Sequence, residues 1–172
     1  MANNCFYAMK IVGKKENCDR WVELMENYDL ENHFWHMFNV DVYEEETTTD
    51  GDTVMYLNGD CAFSIESCCR ASGYSEGVDL LAVNSKALNL IVEIWTEEYG
   101  IGFQEHYVYK NGECLVDACE EAQEWFWNGD EYPTYEDFKN VHPDAPDEDE
   151  FDGPDSWGPV KGGFKNYCEW TT

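Results

Sequence analysis

Residues 89–118, NLIVEIWTEEYGIGFQEHYVYKNGECLVDA, carry the strongest β-strand signal of the chain. Residues 89–96 are rich in branched and aromatic side chains, which are typical of strands. Two more strands follow, and we expect them to be joined across Lys110-Asn111-Gly112, because Asn-Gly is a preferred pair in hairpin turns. The stretch therefore predicts a strand followed by a β-meander.

The chain upstream of this stretch begins with a predicted strand and helix. Residues 4–12, NCFYAMKIV, alternate between inward and outward side chains as a half-buried strand does, and Gly13 interrupts the pattern. A helical face follows at positions i, i+3, i+4 and i+7, formed by Trp21, Leu24, Met25 and Tyr28.

A β-hairpin is expected next. Residues 33–43, HFWHMFNVDVY, are rich in aromatic and branched residues and predict a second strand. Residues 44–52, EEETTTDGD, have the composition of a turn, and residues 53–63 predict a third strand that pairs with the second.

Two helical segments separate this hairpin from residues 89–118. Ser64 is a predicted N-cap for a helix through residues 67–71, and a second helical segment is expected over residues 78–88. The order of these elements predicts an α+β fold. Its form is a ferredoxin-like split βαβ sandwich, in which an antiparallel sheet carries two helices on one face and a β-meander follows.

Length and composition indicate one globular unit with an appendage. A chain of 172 residues is long enough for one hydrophobic core, and 43% hydrophobic residues favour folding although the formal net charge is -27. We expect a ferredoxin-like domain over residues 1–125 and an acidic, aromatic extension over residues 126–172 that packs on the same domain. Little regular structure is expected between residues 128 and 160. Residues 162–170, GGFKNYCEW, are expected to return to the sheet as an edge strand.

Three segments of the chain resemble the YubB-like ferredoxin-fold proteins carried by phages, plasmids and integrated elements. They are MANNCFYAMKIVGKKEN (residues 1–17), LNGDCAFSIESC (57–68) and LNLIVEIWTEEYGIGFQEHYVYKNGE (88–113), and the likeness covers roughly residues 1–120. The resemblance implies a ferredoxin-like fold and a mobile-element protein that works inside a bacterial cell. It implies no activity and no catalytic residues.

The cysteines are expected to be free thiols in a reducing compartment. The first residues contain no apolar stretch behind a basic start, and nowhere do about 18 apolar residues run together, so we expect a cytoplasmic protein without membrane contact. No Cys-x-x-Cys pair occurs, which disfavours zinc and redox sites. The eight cysteines are Cys5, Cys18, Cys61, Cys68, Cys69, Cys114, Cys119 and Cys168.

Two polar pairs are candidates for chemistry, and both are more simply explained as structural. His33 and His36 could share a metal ion on a helix, but in the predicted strand they face opposite sides. Glu105 and His106 lie across a predicted hairpin from Glu97 and Glu98, so a carboxylate and an imidazole could meet as an acid–base pair, but strand alternation sends Glu105 and His106 to opposite faces. The chain has no glycine-rich phosphate loop and no Gly-x-Ser-x-Gly motif. We therefore predict that the protein is not an enzyme.

Residues 142–155, HPDAPDEDEFDGPD, hold seven carboxylates and no lysine or arginine. An EF-hand calcium loop needs Gly at its sixth position. Counting from Asp147 places Asp152 there, and counting from Asp144 places Asp149 there, so the motif fails in both registers. No metal and no cofactor is predicted, although weak binding of divalent ions by clustered carboxylates stays an alternative.

Acidic residues are concentrated in two long sectors. Lysine and arginine are absent between Trp21 and Asp60, and only Lys139 occurs between Asn111 and Val160. A net charge of about 2 to 8 in magnitude suffices for the solubility of a small domain, so this excess indicates a further use. The predicted partner-binding residues are Glu44, Glu45, Glu46, Asp50, Asp52, Glu120, Glu121, Glu124, Asp144, Asp147, Glu148, Asp149, Glu150, Asp152, Asp155, Trp127, Phe151 and Trp157.

These features favour a DNA-mimicking inhibitor. Its expected partner is a basic nucleic-acid-binding protein of host defence, and a CRISPR effector nuclease is the first candidate, which would make the protein an anti-CRISPR. It is not expected to bind nucleic acid directly, and its oligomeric state is left open. One alternative is an acidic phage or plasmid accessory protein of the same fold without mimicry. Another is a metal-assisted enzyme acting on nucleic acid, which a surface this negative disfavours by repelling the substrate.

Overall fold

The computed structural model describes residues 4–71, 76–98, 102–121, 125–127, 130–145, 147–148, 164 and 166–172. These residues form an α+β fold, in agreement with the predicted class. The elements in chain order are β1 (Asn4–Gly13), α1 (Lys15–Glu26), β2 (Met37–Thr47), β3 (Thr53–Ala62), α2 (Ile65–Cys69), α3 (Leu80–Ala87), β4 (Ile91–Glu98), β5 (Phe103–Lys110), β6 (Glu113–Glu121), β7 (Trp125–Trp127), β8 (Asp130–Tyr132) and α4 (Tyr135–Val141).

Six strands form one antiparallel sheet in the order β2-β3-β1-β4-β5-β6, and β7 pairs with β8 separately. β1 lies inside the sheet, where Tyr7 is opposite Gly59 of β3 on one side and Thr96 of β4 on the other. Only glycine fits at position 59, opposite Tyr7. A Cβ atom there would collide with the Tyr7 hydroxyl and lie 2.6 Å from the carbonyl oxygen of Phe38.

Helices α1, α2 and α3 contribute to a single apolar core with one face of the sheet. Trp21 of α1 is fully buried; its Nε1–H points to Met9 Sδ at 3.2 Å, and its ring lies 4.7 Å from that of Phe34. Ile65 of α2 and Leu81 of α3 are fully buried in the same cluster. The strand alternation expected for β1 is confirmed by its core residues, which are Cys5, Tyr7, Met9 and Ile11.

Local signals in the sequence place several ends of elements correctly. The Ser64 side chain accepts a hydrogen bond from the Ser67 N–H and caps α2, as predicted. Asp79 caps α3 in the same way through the N–H of Ala82. The predicted hairpin turn between β5 and β6 is confirmed by positive φ angles at Asn111 and Gly112, of 50° and 86°.

The second strand was predicted at residues 33–43 but lies at Met37–Thr47, so that prediction is wrong at both ends. Before the strand, the N–H of Phe34 donates to a carbonyl of α1 at 2.8 Å, which holds the preceding residues in a loop. After it, the N–H of Thr48 donates to the carbonyl of Asp52 at 2.8 Å and forms the turn. The glutamates expected in a turn therefore belong to the strand, where their side chains stay exposed at the edge of the sheet.

The C-terminal segment, defined here as Phe164 with residues 166–172, lies across the face of the sheet opposite the helices. The Phe164 ring packs edge-on against Trp95 of β4 at 5.4 Å, and its N–H donates to the Gln104 side chain at 2.7 Å. The prediction of an edge strand here is wrong. The N–H groups of Phe164, Thr171 and Thr172 donate to buried side chains of the sheet. Those of Tyr167 and Glu169 donate to carbonyl oxygens within the segment.

Regular structure also occurs where little was predicted, in β8 and α4. A reciprocal capping box begins α4, because the side chains of Thr134 and Asp137 each accept the other residue's N–H. Phe138 is fully buried and packs edge-on against Tyr132 at 5.3 Å. The prediction of irregular structure is wrong for these residues. Residues 149–163 lie outside the described part of the chain, and the predicted domain boundary stays a prediction.

Candidate acidic interface

β2 forms one edge of the sheet, and most of its side chains are exposed. Two β-bulges interrupt its pairing with β3, one between Phe38 and Asp41 and one between Val42 and Glu44. Bulges and charged side chains on an edge strand hinder its pairing with other strands. This edge is therefore poorly suited to pair with another sheet. A partner would contact it mainly through side chains.

The carboxylates of β2 are divided between the two faces of the sheet. Three lie opposite alternate residues of β3 and so share the face away from the helices, namely Asp41, Glu44 and Glu46. Glu45 lies opposite the core residue Met55 and projects toward the helices, where its carboxylate is 3.2 Å from Lys15 Nζ. The charge thus extends around the edge of the sheet.

Only part of this charge is neutralised by lysine. Lys14 Nζ lies 2.6 Å from the Asp52 carboxylate, and the hydrogen bond that Lys14 donates to Asp52 raises the pKa of Lys14. Four exposed acids have no ion-pair partner in the part of the chain that the structure describes: Asp41, Glu44, Glu46 and Asp50. This edge is therefore a strongly negative surface.

Helix α1 adds a second row of carboxylates that the sequence analysis missed. They are exposed, and they lie at spacings of three and four residues: Glu16, Asp19, Glu23 and Glu26. Lys15 contacts both Asp19 of this row and Glu45 of β2, so the two acidic surfaces adjoin. The signal is present in the sequence as helical spacing on the polar side of the predicted helix.

Aromatic side chains flank the carboxylates of β2. Phe38 is 39% exposed and Tyr43 is 51% exposed. The Tyr43 ring lies 6.3 Å from Tyr56 of β3, which in turn lies 5.9 Å from Trp170 of the C-terminal segment. Lys10 Nζ lies 5.9 Å from the centroid of the Tyr56 ring. We call Tyr43, Tyr56 and Trp170 the aromatic row.

The predicted partner-binding residues fall into three groups. Those at residues 44–52 lie together on β2 and its turn. Glu120 is exposed on β6, which is the opposite edge of the sheet, so the structure does not join it to β2. Asp144, Asp147 and Glu148 are exposed after α4, where Asp147 contacts Lys139 at 3.3 Å.

The remaining predicted residues are not tested by the structure. Glu121 and Trp127 are described only by their backbone, in β6 and β7. The others lie outside the described residues: Glu124, Asp149, Glu150, Phe151, Asp152, Asp155 and Trp157.

Glu105 and His106 point to opposite faces of β5, as strand alternation predicts. Glu105 is buried beneath α2, where it accepts the Ile65 N–H at 2.9 Å, and its burial raises the pKa of this carboxyl. His106 Nε2 lies 2.9 Å from the Glu93 carboxylate on the other face, and its ring stacks on Trp95 at 3.6 Å. Each side chain is engaged in packing, and the two do not form an exposed acid–base pair.

Cysteines and histidines are likewise explained by structure. All eight cysteines are free thiols, and burial raises the pKa of Cys18 to about 11 and of Cys168 to about 12. His33 and His36 lie in the loop before β2, not in the strand that was predicted, and His33 Nδ1 is 2.8 Å from the Leu30 carbonyl oxygen. Within the described ranges, no group of three such side chains is placed to hold a metal ion.

No helix in the described ranges is both long and apolar enough to cross a membrane. Comparisons with protein-family models, with curated proteins and with solved structures find no significant match. The function is therefore inferred from the surface of the molecule itself.

Proposed function

We propose that this protein is a non-enzymatic inhibitor that binds the positively charged groove of a nucleic-acid-binding protein. The observation that carries this proposal is the run of exposed carboxylates on β2, most of which lack an ion-pair partner among the described residues. The carboxylate row on α1 lies beside it and widens the negative surface. Because both rows belong to folded elements, the backbone positions that carry the charges keep a regular spacing.

The spacing of charge along β2 is close to that of one nucleic-acid strand. Glu44, Glu45 and Glu46 are consecutive, and a β-strand rises about 3.4 Å per residue. One strand of DNA carries a charge every 3.4 Å or so along the helix axis. Neighbouring glutamates face opposite sides of the sheet, and Glu45 contacts Lys15. A groove that encloses the edge would therefore meet Glu44 and Glu46 on one face as charges left unpaired by the described residues. Electrostatic attraction on this scale also speeds association.

A CRISPR effector nuclease is the first candidate partner. Its channel must hold guide and target nucleic acid through positive charge. The resemblance to YubB-like proteins supports an origin on a phage or plasmid and a site of action in the bacterial cytoplasm. An anti-CRISPR protein would account both for the negative surface and for the resemblance to phage and plasmid proteins.

The arrangement of strands supports a ferredoxin-like core as part of the same proposal. The first four strands lie in the order β2-β3-β1-β4, with α1 between β1 and β2 and with α2 and α3 between β3 and β4. All three helices share one core. This order matches a split βαβ sandwich to which the β5–β6 hairpin has been added.

Competition with DNA tests the proposal. The purified protein is mixed with guide-loaded CRISPR effectors and other basic nucleases, and complex formation and DNA loading are measured at low and high salt. We expect a complex that blocks DNA loading and weakens as salt rises. The proposal fails if no DNA-binding partner forms a complex, or if a complex leaves DNA loading unchanged; in that case the acidic accessory protein without mimicry is the better description. Turnover of nucleic acid that chelation abolishes would instead favour the enzyme.

A matched pair of variants locates the interface. Glu44→Gln with Glu46→Gln removes two charges from β2, and Glu113→Gln with Glu120→Gln removes two from β6 at the opposite edge. We expect the β2 variant to lose about tenfold in affinity and to show a flatter salt dependence, with little change for the β6 variant. Equal losses in both variants would show that net charge alone drives binding.

A further inference from the structure

The aromatic row gives the β2 surface a chemical preference beyond its charge. Its three rings follow one another at 6.3 Å and 5.9 Å. Asp41, Glu44 and Glu46 share the face on which the Tyr56 ring lies. An aromatic face beside carboxylates is the environment that a guanidinium group prefers, because it stacks on the ring and pairs with the carboxylate through two parallel hydrogen bonds.

A lysine of the chain already occupies part of this surface. Lys10 Nζ lies over the Tyr56 ring at 5.9 Å from its centroid. Tyr43, at the outer end of the row, is 51% exposed. The row therefore accommodates one cation within the molecule and presents a second ring to a cation from outside.

We infer that the partner contacts this surface with an extended, arginine-rich segment that lies along β2. This inference rests on the proposed function and adds the side chains that the partner supplies. Residues two apart in an extended segment are about 7 Å apart, which matches the spacing of Glu44 and Glu46 on one face. A second copy of this chain is disfavoured as the occupant, because two acidic edges repel each other and the bulges interrupt a strand ladder.

The test compares binding of fluorescent nona-arginine and nona-lysine to the full chain by polarisation at low and high salt. Three variants are used: Tyr43→Ala, the Glu44→Gln with Glu46→Gln pair, and Leu115→Ala as the control. Leu115 is 52% exposed on β6 and so matches Tyr43 in exposure at the opposite edge. Circular dichroism checks that each variant is folded.

We expect nona-arginine to bind more tightly than nona-lysine. Tyr43→Ala weakens nona-arginine binding by about threefold to fivefold and nona-lysine binding less, and the glutamine pair weakens both by about tenfold. Leu115→Ala changes neither. The inference is overturned if both peptides bind equally well, or if Tyr43→Ala and Leu115→Ala have equal effects.

The two proposals fail separately. If the protein displaces a partner from DNA but Tyr43→Ala does not weaken nona-arginine binding, the inference of an arginine-rich segment is overturned and the proposed function stands. Arginine binding that depends on Tyr43, without any displacement of DNA from a partner, overturns the DNA-mimic proposal and shows a cationic-peptide surface of another use.

Discussion

The two faces of the sheet are covered by different kinds of structure, and the side chains beneath each cover differ accordingly. Under the helices lie apolar residues of the sheet such as Met9, Ile11 and Leu57. Under the C-terminal segment lie Glu93 and His106, which are buried beside Trp95. A helix satisfies its own main-chain hydrogen bonds and can pack on apolar surface, whereas an irregular segment needs acceptors from the surface that it covers.

Glu93 supplies those acceptors. Its carboxylate accepts hydrogen bonds from the N–H and hydroxyl groups of Thr171 and Thr172 at 2.8 to 3.0 Å, and from His106 Nε2 at 2.9 Å. Burial opposes ionisation of this group, but these hydrogen bonds outweigh it and lower the pKa of Glu93 to about 2. On the helix face, Glu105 also accepts several hydrogen bonds, yet burial prevails and raises its pKa.

Removal of Glu93 is expected to have the largest effect on the face of the sheet that the C-terminal segment covers. Glu93→Ala is expected to lower the free energy of unfolding by about 3 kcal/mol, because it leaves the buried imidazole of His106 and the donors of Thr171 and Thr172 without their acceptor. Urea unfolding measures this loss. Release of the C-terminal segment should also shift the fluorescence of Trp95 to longer wavelength and end the protection of the two threonine amides from hydrogen exchange.

The control for that change is Glu113→Ala, an exposed acid on β6. Its effect on the free energy of unfolding should stay under about 0.5 kcal/mol. Continued protection of the Thr171 and Thr172 amides in Glu93→Ala would contradict the role given to Glu93.

Glutamine substitutions compare the two buried carboxylates with little change in shape. A pKa lowered from 4.5 to about 2 means that folding favours the charged form of Glu93 by roughly 3 kcal/mol, so Glu93→Gln should cost about that much at pH 7. The raised pKa of Glu105 favours a neutral side chain, so Glu105→Gln should cost less, about 1 to 2 kcal/mol, which comes from the backbone N–H that loses its acceptor when one carboxylate oxygen becomes an amide nitrogen. The opposite order of the two losses would refute this account.

The same comparison predicts a graded dependence on pH. The stability from Glu93 is fully present above the unfolded-state pKa of about 4.5 and is lost as the pH falls toward the folded-state value of about 2. Unfolding measured across this range should therefore show a smaller acid-induced loss of stability in Glu93→Gln than in the unaltered protein. Parallel curves would assign the acid sensitivity to other carboxylates.

The smallest effect on stability is expected at the exposed edge of the sheet, outside the buried layers on its two faces. Replacing Glu44 and Glu46 with glutamine should change the free energy of unfolding by under about 0.5 kcal/mol, because both side chains are exposed. Thermal and urea unfolding check this. A large loss of stability would show that these glutamates support the fold, and their binding data would then need reinterpretation.

Local chemistry explains which parts of the fold were predictable. Ser64, Asn111 and Gly112 act within a few residues of themselves, so their positions in the sequence placed a helix start and a hairpin turn correctly. The capping box at Thr134 and Asp137 was equally local, but the acidic composition around it favoured a prediction of irregular structure. The candidate site was predicted at Glu44, Glu45 and Glu46, although in a turn and not in a strand.

The amino-acid sequence by itself determined the alternation of the strands, the caps of the helices and the excess of negative charge, since each depends on neighbouring residues or on composition. Only the tertiary structure decided which surface the last residues cover. The bond from Thr171 to Glu93 joins residues 78 positions apart, and no local pattern predicts such a contact. Tertiary packing also placed Trp170 beside Tyr56 and left Tyr43 exposed, which set a row of aromatic rings beside the acidic strand.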